Sequence, residues 1–320
     1  MKEQELLQLV KSYSKDVHEK LLPKLECDIL DRLEYIYDTT WTNVDNAPYE
    51  ILTYLADCYY SLPQRPDLAS LFCWQAINNS YNEMLILNGA RRLIDARGIE
   101  KLIDSIMNNS DKYFPILHNF AKKLNEKLFH FVASYLLKGY VCDCCGVLES
   151  VIPSAYTSVI KVLPELKRIL ENSYGKAFTS ITRPVINNAQ LKLNIDPSDT
   201  TKGINIRRCF SKSLKDLLDK HETKISDFQS RQERQYCIND KDELFFLLCG
   251  ILYASRCNNF HGNVPSRLNT LYADENSYKS YINIFLLEYE VLAVSLNIQG
   301  KLSDSELSRI GKNVNLMLPE

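Results

Sequence analysis

Residues 241–263 read KDELFFLLCGILYASRCNNFHGN. The first part of this stretch has apolar residues at intervals of three and four, which is the period of an amphipathic helix. These apolar positions are Leu244, Leu247, Leu248, Ile251 and Leu252. The pattern predicts a helix from about Lys241 to Cys257, with Asp240 as its N-cap.

The end of the same stretch is polar and abrupt. Asn258 and Asn259 tolerate left-handed backbone, and Gly262 suits the position just after a helix. In an ideal helix, Arg256 and His261 would point about 140° apart, so they converge only if the helix bends or ends between them. We therefore expect His261 at or just past the last turn, with Arg256 on the turn before it.

Arginine and histidine together suit RNA cleavage without a metal ion. The 2′-hydroxyl of RNA is an internal nucleophile, and a histidine can move the required proton near neutral pH. A guanidinium can hold the phosphate oxygens and stabilise their developing charge. Spacing alone, however, favours a plainer interpretation, in which Arg256 forms a surface salt bridge and His261 caps a helix.

Arg256–His261 and the sequence around them resemble the signature of HEPN domains, Arg-x(4–6)-His, in its shortest form. Leu252 and Tyr253 precede the arginine, and His261 is followed by glycine, as in the subgroup whose motif ends in His-Gly. A long apolar helix follows at 281–298. Residues 67–77 resemble the core helix that precedes the motif helix in that subgroup.

This resemblance implies a helical bundle that forms a homodimer, with both copies of the motif in one composite cleft. It implies a metal-independent endoribonuclease of the toxin–antitoxin, abortive-infection or CRISPR-associated kind, which leaves a 2′,3′-cyclic phosphate and needs no cofactor. By position, His261 would be the acid/base and Arg256 the phosphate clamp. RNA would be the substrate, and an antitoxin or another regulatory partner is expected.

The residue after the arginine departs from the family pattern. Asn, Asp or His is frequent there, whereas this chain has Cys257. Asn258 or Asn259 could take over the missing polar role and orient the substrate. Asp242 lies fourteen positions before Arg256, close to the same helical face, where it could orient the arginine or cap the helix.

The rest of the sequence predicts an all-α fold. Gly and Pro number only 10 and 11, and no long segment alternates between polar and apolar residues. We expect a HEPN-like bundle with additional helices and one long irregular insertion at about 174–208, with a short strand at Leu191–Ile195. The predicted regions are 1–110, 111–230 and 231–320, or one continuous helical domain.

Individual helices can be assigned from the same periodicity. Single helices are predicted at 90–107, 112–137, 154–172 and 281–298. Asp67 is a candidate N-cap for the segment that follows it. Ser303 and Glu306 have the spacing of a capping box for a last short helix.

The composition excludes several classes of protein. The net charge of -2 gives no bulk attraction to nucleic acid, so RNA would need a local patch such as Arg207-Arg208 with Lys202 and Lys212. The cysteines follow no disulfide or zinc spacing, and Cys142-Asp143-Cys144-Cys145 lacks a second ligand pair, so no metal site is expected.

His118 and His130, like Trp41 and Trp74, are most simply structural. No apolar run of membrane-spanning length or signal peptide is evident, so a cytoplasmic protein without membrane contact is expected.

Three hypotheses follow from the sequence. The first is a HEPN ribonuclease acting on single-stranded or loop RNA. The second is a non-catalytic HEPN module that binds RNA, a nucleotide or a partner protein, and Cys257 is its main support. The third is a helical interaction scaffold in which Arg256 and His261 are incidental.

Overall fold

The chain divides into two compact units, Met1–Asn125 with Ser255–Glu320, and Glu126–Ala254. A computed structural model describes residues 3–23, 28–43, 45–87, 95–148, 152–187, 190–260, 267–270 and 273–319. Of the residues described, 71% are helical and 7% are in strands, which confirms the predominantly helical class. The regions predicted from the sequence, 1–110, 111–230 and 231–320, divide the chain at other positions.

Helices make up most of both units, and the strands that the structure describes all lie in the second unit. The first unit begins with α1 (Glu3–Lys11), α2 (Lys15–Leu21), α3 (Ile29–Arg32), α4 (Tyr49–Ser61), α5 (Pro66–Leu87), α6 (Asp95–Met107) and α7 (Ser110–Ala121). The second unit contains α8 (Glu126–Cys144), α9 (Ser154–Val162), α10 (Pro164–Asn172), α11 (Tyr174–Thr179), β1 (Thr182–Asn187), β2 (Gln190–Ile195), α12 (Thr200–Lys220), β3 (Glu222–Ser226), β4 (Glu233–Cys237), α13 (Asp240–Phe245) and a π-helical segment (Phe246–Tyr253). The chain continues with α14 (Ala254–Phe260), α15 (Glu275–Ile298) and α16 (Asp304–Ile310).

Helix α15 is the core of the first unit. Its residues from Ser280 to Asn297 are all buried, and it packs most extensively against α5 and also against α6, α7 and α16. Two polar side chains near the end of this helix form hydrogen bonds with α5 and α7. Ser295 Oγ lies 2.6 Å from Ser80 Oγ, and Asn297 Oδ1 accepts a hydrogen bond of 2.8 Å from Tyr113. These bonds satisfy polar groups that would otherwise be costly to bury.

Helix α15 also corrects the expectation that no segment reaches membrane-spanning length. It is long and apolar enough to cross a membrane, with a mean hydropathy of 1.4 over an 18-residue window. However, 94% of that window is buried inside the protein. Its apolar character is therefore explained by its position in the core of the first unit.

The second unit is built around the contact between α8 and α12. Two antiparallel hairpins complete it, with Thr182 paired to Ile195 in the first and Glu222 paired to Cys237 in the second. Strand β3 packs on α12, and α9 packs on the π-helical segment. Strand β2 confirms the short strand predicted at Leu191–Ile195, whereas the partner strand β1 and the second hairpin were not predicted.

The predicted irregular insertion at 174–208 is wrong in most of its length. This range contains α11, the first hairpin and the beginning of α12. Gly203, which suggested a loop, is a buried residue of α12. A Cβ atom at that position would lie 3.1 Å from Cδ1 of Ile195, so glycine lets the hairpin approach the helix closely.

Two predicted helices are each divided into two. The helix predicted at 112–137 is interrupted between α7 and α8, where Leu124 and Asn125 are buried. The helix predicted at 154–172 is interrupted before Pro164, which begins α10. Proline is favoured in a first turn because it lacks the amide hydrogen that has no helical partner there.

The predicted caps also differ from those observed. Asp67 accepts a bidentate interaction from Arg65 at 2.8 Å and is not an N-cap. Ser303 precedes α16 but forms no side-chain cap. The Glu306 carboxylate accepts a hydrogen bond from Arg309 and not from the amide of Ser303. That amide donates to Asp38 instead.

Candidate active site on the motif helix

The motif helix consists of α13, the π-helical segment and α14. It begins at a cap that the sequence did not single out. The side chain of Asn239 accepts a hydrogen bond of 2.9 Å from the amide of Asp242, so Asn239 is the N-cap and Asp240 is the first helical residue. One turn on, the buried carboxylate of Glu243 is hydrogen-bonded to Nε2 of His221. The end of α12 and the start of the motif helix are thereby joined across the second hairpin.

The middle of the motif helix is π-helical from Phe246 to Tyr253. The hydroxyl of Tyr135 donates a hydrogen bond of 2.6 Å to the carbonyl of Gly250. Burial raises the pKa of Tyr135, which keeps its hydroxyl protonated as a donor. A Cβ atom on Gly250 would lie 2.8 Å from Cδ2 of Phe246, so a larger residue there would force the Phe246 ring to move. Because π-helical turns occur frequently at functional sites, this segment directs attention to the residues that follow it.

Arg256 lies in α14, shortly after the π-helical segment. Its side chain is half-buried, and both neighbours, Ser255 and Cys257, are buried. The guanidinium Nη1 lies 3.9 Å from Sγ of Cys257, which is a weak contact. The Cys257 thiol therefore adds no strong hydrogen-bonding group beside the arginine.

Three of the predicted site residues can be described only in part. The backbone of Asn258 and Asn259 is helical, because α14 is described as far as Phe260. The helix thus does not end at the two asparagines as expected. The side chains of Asn258 and Asn259, and the whole of His261, lie outside the described residues. The convergence of His261 with Arg256 stays a prediction.

The predicted role of Asp242 in orienting Arg256 also stays a prediction. Asp242 belongs to the second unit and Arg256 to the first. The helical phase that placed them on one face assumed an unbroken α-helix of 100° per residue. The π-helical segment lies between them, and each of its turns contains an extra residue, so this phase no longer applies.

The predicted basic cluster lies on α12. Lys202, Arg208 and Lys212 are exposed. Arg207 is half-buried, and its guanidinium carbon lies 5.7 Å from the centre of the Phe178 ring. The first three side chains are therefore available to an anion, whereas Arg207 contributes mainly to packing within the second unit.

The other residues considered in the sequence lie outside the motif helix. His118 stacks on Phe114 in α7, with ring centres 5.4 Å apart, and His130 belongs to α8. Trp41 and Trp74 are 8% and 0% exposed. In the cysteine cluster, Cys142 is buried, whereas Cys144 and Cys145 are exposed.

Two buried carboxyl groups in α15 were missed by the sequence reasoning. Glu288 and Glu290 are 1% and 0% exposed. Burial raises the pKa of Glu288 well above its usual range, and the nearby Ser70 hydroxyl lowers it only in part. Burial also raises the pKa of Glu290 to about 8, and no described residue donates a hydrogen bond to its carboxyl oxygens. Two glutamates within the apolar run at 281–298 were the available signal.

The chain was compared with protein-family models, with curated proteins and with solved structures, and it matches none of them.

Proposed function

We propose that this protein is a metal-independent endoribonuclease of the HEPN type. The observation that carries the proposal is the Arg256–His261 motif, in which Arg256 lies half-buried on a helix described up to the residue before His261. The long buried helix α15, which follows the motif as the resemblance leads us to expect, supports it.

In the proposed reaction, His261 removes the proton from the 2′-hydroxyl of the substrate. The resulting oxygen attacks the adjacent phosphorus, and the bond to the 5′-oxygen of the next nucleotide breaks. The leaving oxygen takes up a proton, and a 2′,3′-cyclic phosphate remains. Arg256 neutralises the charge that develops on the phosphate oxygens. The enzyme acts as a homodimer with a composite cleft, in the cytoplasm, as a toxin or an antiviral effector restrained by an antitoxin or another regulator.

A non-catalytic HEPN module that binds RNA, a nucleotide or a partner protein is the second candidate. It is favoured by Cys257, because this buried thiol replaces the polar residue frequent in the family. The two candidates share the motif and differ in whether the 2′-hydroxyl is activated.

The test is cleavage of single-stranded RNA in EDTA by the full chain, with the DNA of the same sequence as a control. We expect RNA alone to be cut and the product to end in a 2′,3′-cyclic phosphate. His261→Ala should reduce the rate by roughly 10²–10⁴-fold, because general acid–base catalysis has this size. Arg256→Lys should also lose most activity, because lysine keeps the charge but not the planar fork.

His130→Ala is the matched control, since it removes a histidine of α8 that lies outside the motif. Cleavage of DNA as well as RNA, or an unchanged rate in His261→Ala, would refute this mechanism. Binding of RNA without any cleavage would support the second candidate if Arg256→Lys or His261→Ala weakens that binding.

A further inference from the structure

We propose that the groove along α12 binds single-stranded nucleic acid. This binding site lies wholly within the second unit, so it goes beyond the proposed ribonuclease site at Arg256 and His261. Two adjoining cavities of about 430 and 580 Å³ form the groove, and both are lined by Tyr174 and Cys209.

One face of α12 forms the floor along the whole groove. Its lining residues recur at intervals of three and four, which is one stripe of a helix. They include Lys202, Asn205, Cys209, Lys212, Asp216 and Lys220. From Lys202 to Lys220 this stripe extends about 27 Å. The groove is therefore long enough for several nucleotides and is not a pocket for one small molecule.

The charge of α12 differs from that of the chain as a whole. The helix carries six basic and two acidic side chains, a formal charge of about +4, although the net charge of the chain is -2. The local field along α12 therefore favours an anion where the bulk charge does not.

Four cations line the groove without a carboxylate partner. Among the residues that the structure describes, no carboxylate forms an ion pair with Lys202, Lys212, Lys224 or Arg231. The first two lie on α12, whereas Lys224 is in β3 and Arg231 is in the turn after it, so cations flank the groove on both sides. This arrangement suits a chain of phosphates between the two sides.

The acidic lining residues mostly have partners of their own. Asp216 pairs with Lys220 at 2.6 Å, and Glu222 accepts a hydrogen bond of 2.6 Å from Gln235. Asp199 is the third acidic residue of the lining. The unpaired cations therefore dominate the charge that a ligand in the groove would meet.

Aromatic rings in the groove lining favour a nucleic acid over other anions as the ligand. Tyr174 is half-buried in the lining of both cavities, where its hydroxyl lies 2.9 Å from Ser213 Oγ. Phe228 is half-buried at the other side, and the guanidinium of Arg231 lies 5.7 Å from the centre of its ring. Rings and cations in one groove are the combination that holds single strands, because bases stack on rings while the phosphates face cations.

The backbone of the Phe228 turn is fixed before a ligand binds. Asp227 accepts hydrogen bonds of 2.9 and 2.8 Å from the amides of Gln229 and Ser230, and it pairs with Arg234 at 2.9 Å. Arg231 has a positive φ of 61° within this turn. The turn therefore presents Phe228 and Arg231 to the groove from a defined backbone.

The experiment measures binding of a fluorescein-labelled 12-nucleotide 2′-O-methyl RNA to the full wild-type chain by fluorescence anisotropy, over a range of salt concentrations. This strand lacks the free 2′-hydroxyl, so it cannot be cleaved by the proposed ribonuclease. We expect the double variant Lys202→Glu/Lys212→Glu to bind at least roughly tenfold more weakly. Its slope of log K against log salt should become shallower by about 1.4, because each phosphate contact contributes about 0.7 for single strands.

The matched control is Lys161→Glu/Lys192→Glu, which changes the charge equally with two exposed lysines of the same unit outside the groove lining. Phe228→Ala should weaken binding without changing the salt slope, because it removes stacking and no charge. Equal losses in the control pair and the groove pair would overturn the proposal. The proposal would also be overturned if duplex RNA, an acidic peptide or anionic vesicles displaced the labelled strand as well as unlabelled single strand does.

The outcomes for the groove and for the ribonuclease are separable. Binding of the 2′-O-methyl strand through α12 without cleavage of unmodified RNA supports the groove and refutes the ribonuclease. If the groove variants bind the strand as tightly as the wild type and unmodified RNA is still cleaved, the groove is refuted and the ribonuclease is not.

Discussion

Replacing Glu290 by Gln should change how the stability of the first unit depends on pH. In the folded protein burial raises the pKa of Glu290 to about 8, from an ordinary value of 4.5. The group is therefore protonated when folded and ionised when unfolded between these two values. Its contribution to stability is fully present below pH 4.5 and is lost as the pH rises through 8.

The size of this effect follows from the two pKa values. Linkage gives about 1.4 kcal/mol per pH unit for one proton, so the free energy of unfolding should fall by about 2.5 kcal/mol between pH 5.5 and 7.5 because of Glu290. Glutamine keeps the shape and cannot ionise. The Glu290→Gln protein should lose this part of the pH dependence and be more stable than the wild type at pH 7.5.

Urea unfolding followed by tryptophan fluorescence measures this directly. Both tryptophans, Trp41 and Trp74, are buried in the first unit, which also contains Glu290. The signal therefore reports the unit that contains the substitution. Glu100→Gln is the matched control, because Glu100 is exposed on α6 of the same unit. If Glu290→Gln and the wild type showed parallel pH dependence, the carboxyl group would not be buried in its neutral form.

Two further substitutions test the packing of the second unit. Tyr135→Phe removes the donor to the Gly250 carbonyl and should cost about 0.5–1.5 kcal/mol, which is the net contribution of a typical intramolecular hydrogen bond. Faster amide hydrogen exchange at 246–253 would confirm this loss, and an unchanged exchange pattern would contradict it. Gly139→Ala should cost about 2–3 kcal/mol in thermal unfolding followed by circular dichroism, because the added Cβ atom would lie 2.2 Å from Cγ of Tyr156. Stability equal to that of the wild type would show that α8 and α9 are not in close contact there, and Tyr156→Ala should restore part of the loss.

Periodicity located helices better than it located their interruptions. The apolar spacing of 281–298 predicted α15, because this helix is long and its side chains pack in one core. The break between α7 and α8 was missed because Leu124 and Asn125 are buried by the surrounding fold. Apolar periodicity continues through such a break, so the sequence alone cannot place it.

The π-helical segment could not be predicted for a related reason. Nearly every residue from Phe246 to Tyr253 is apolar, so the segment has no polar face from which a helical phase could be read. Its conformation depends on contacts that are remote in sequence, such as the bond from Tyr135. The hairpin formed by β3 and β4 was missed because its alternation is short. Buried and exposed residues alternate only around Thr223 and Ile225 in β3, and β4 buries Tyr236 alone.

The chemistry of the candidate site stays a prediction, and only part of its placement is described. The sequence singled out Arg256 and the departure at Cys257, and the structure places both on α14 with the Cys257 thiol buried. The helical phase of Asp242 could not be known without the π-helical segment. The sequence singled out Lys202 and Lys212 on one side of the α12 groove. It could not predict the groove itself, because the two sides are far apart in sequence and meet only when the hairpin folds onto the helix.

The two glutamates of α15 also affect the newly made chain before the first unit has folded. At that stage the helix presents a segment that, by length and composition, could cross a membrane. An aspartate at the centre of such a segment adds about 2.5–3.5 kcal/mol to the free energy of insertion on the scale measured for the cellular insertion machinery, and an ionised glutamate should add a similar amount because it carries the same charge. Glu288 and Glu290 would both carry this cost while exposed to water, and both become neutral once buried. The same two side chains that weaken the folded unit at high pH therefore oppose the insertion of its core helix into a bilayer during synthesis.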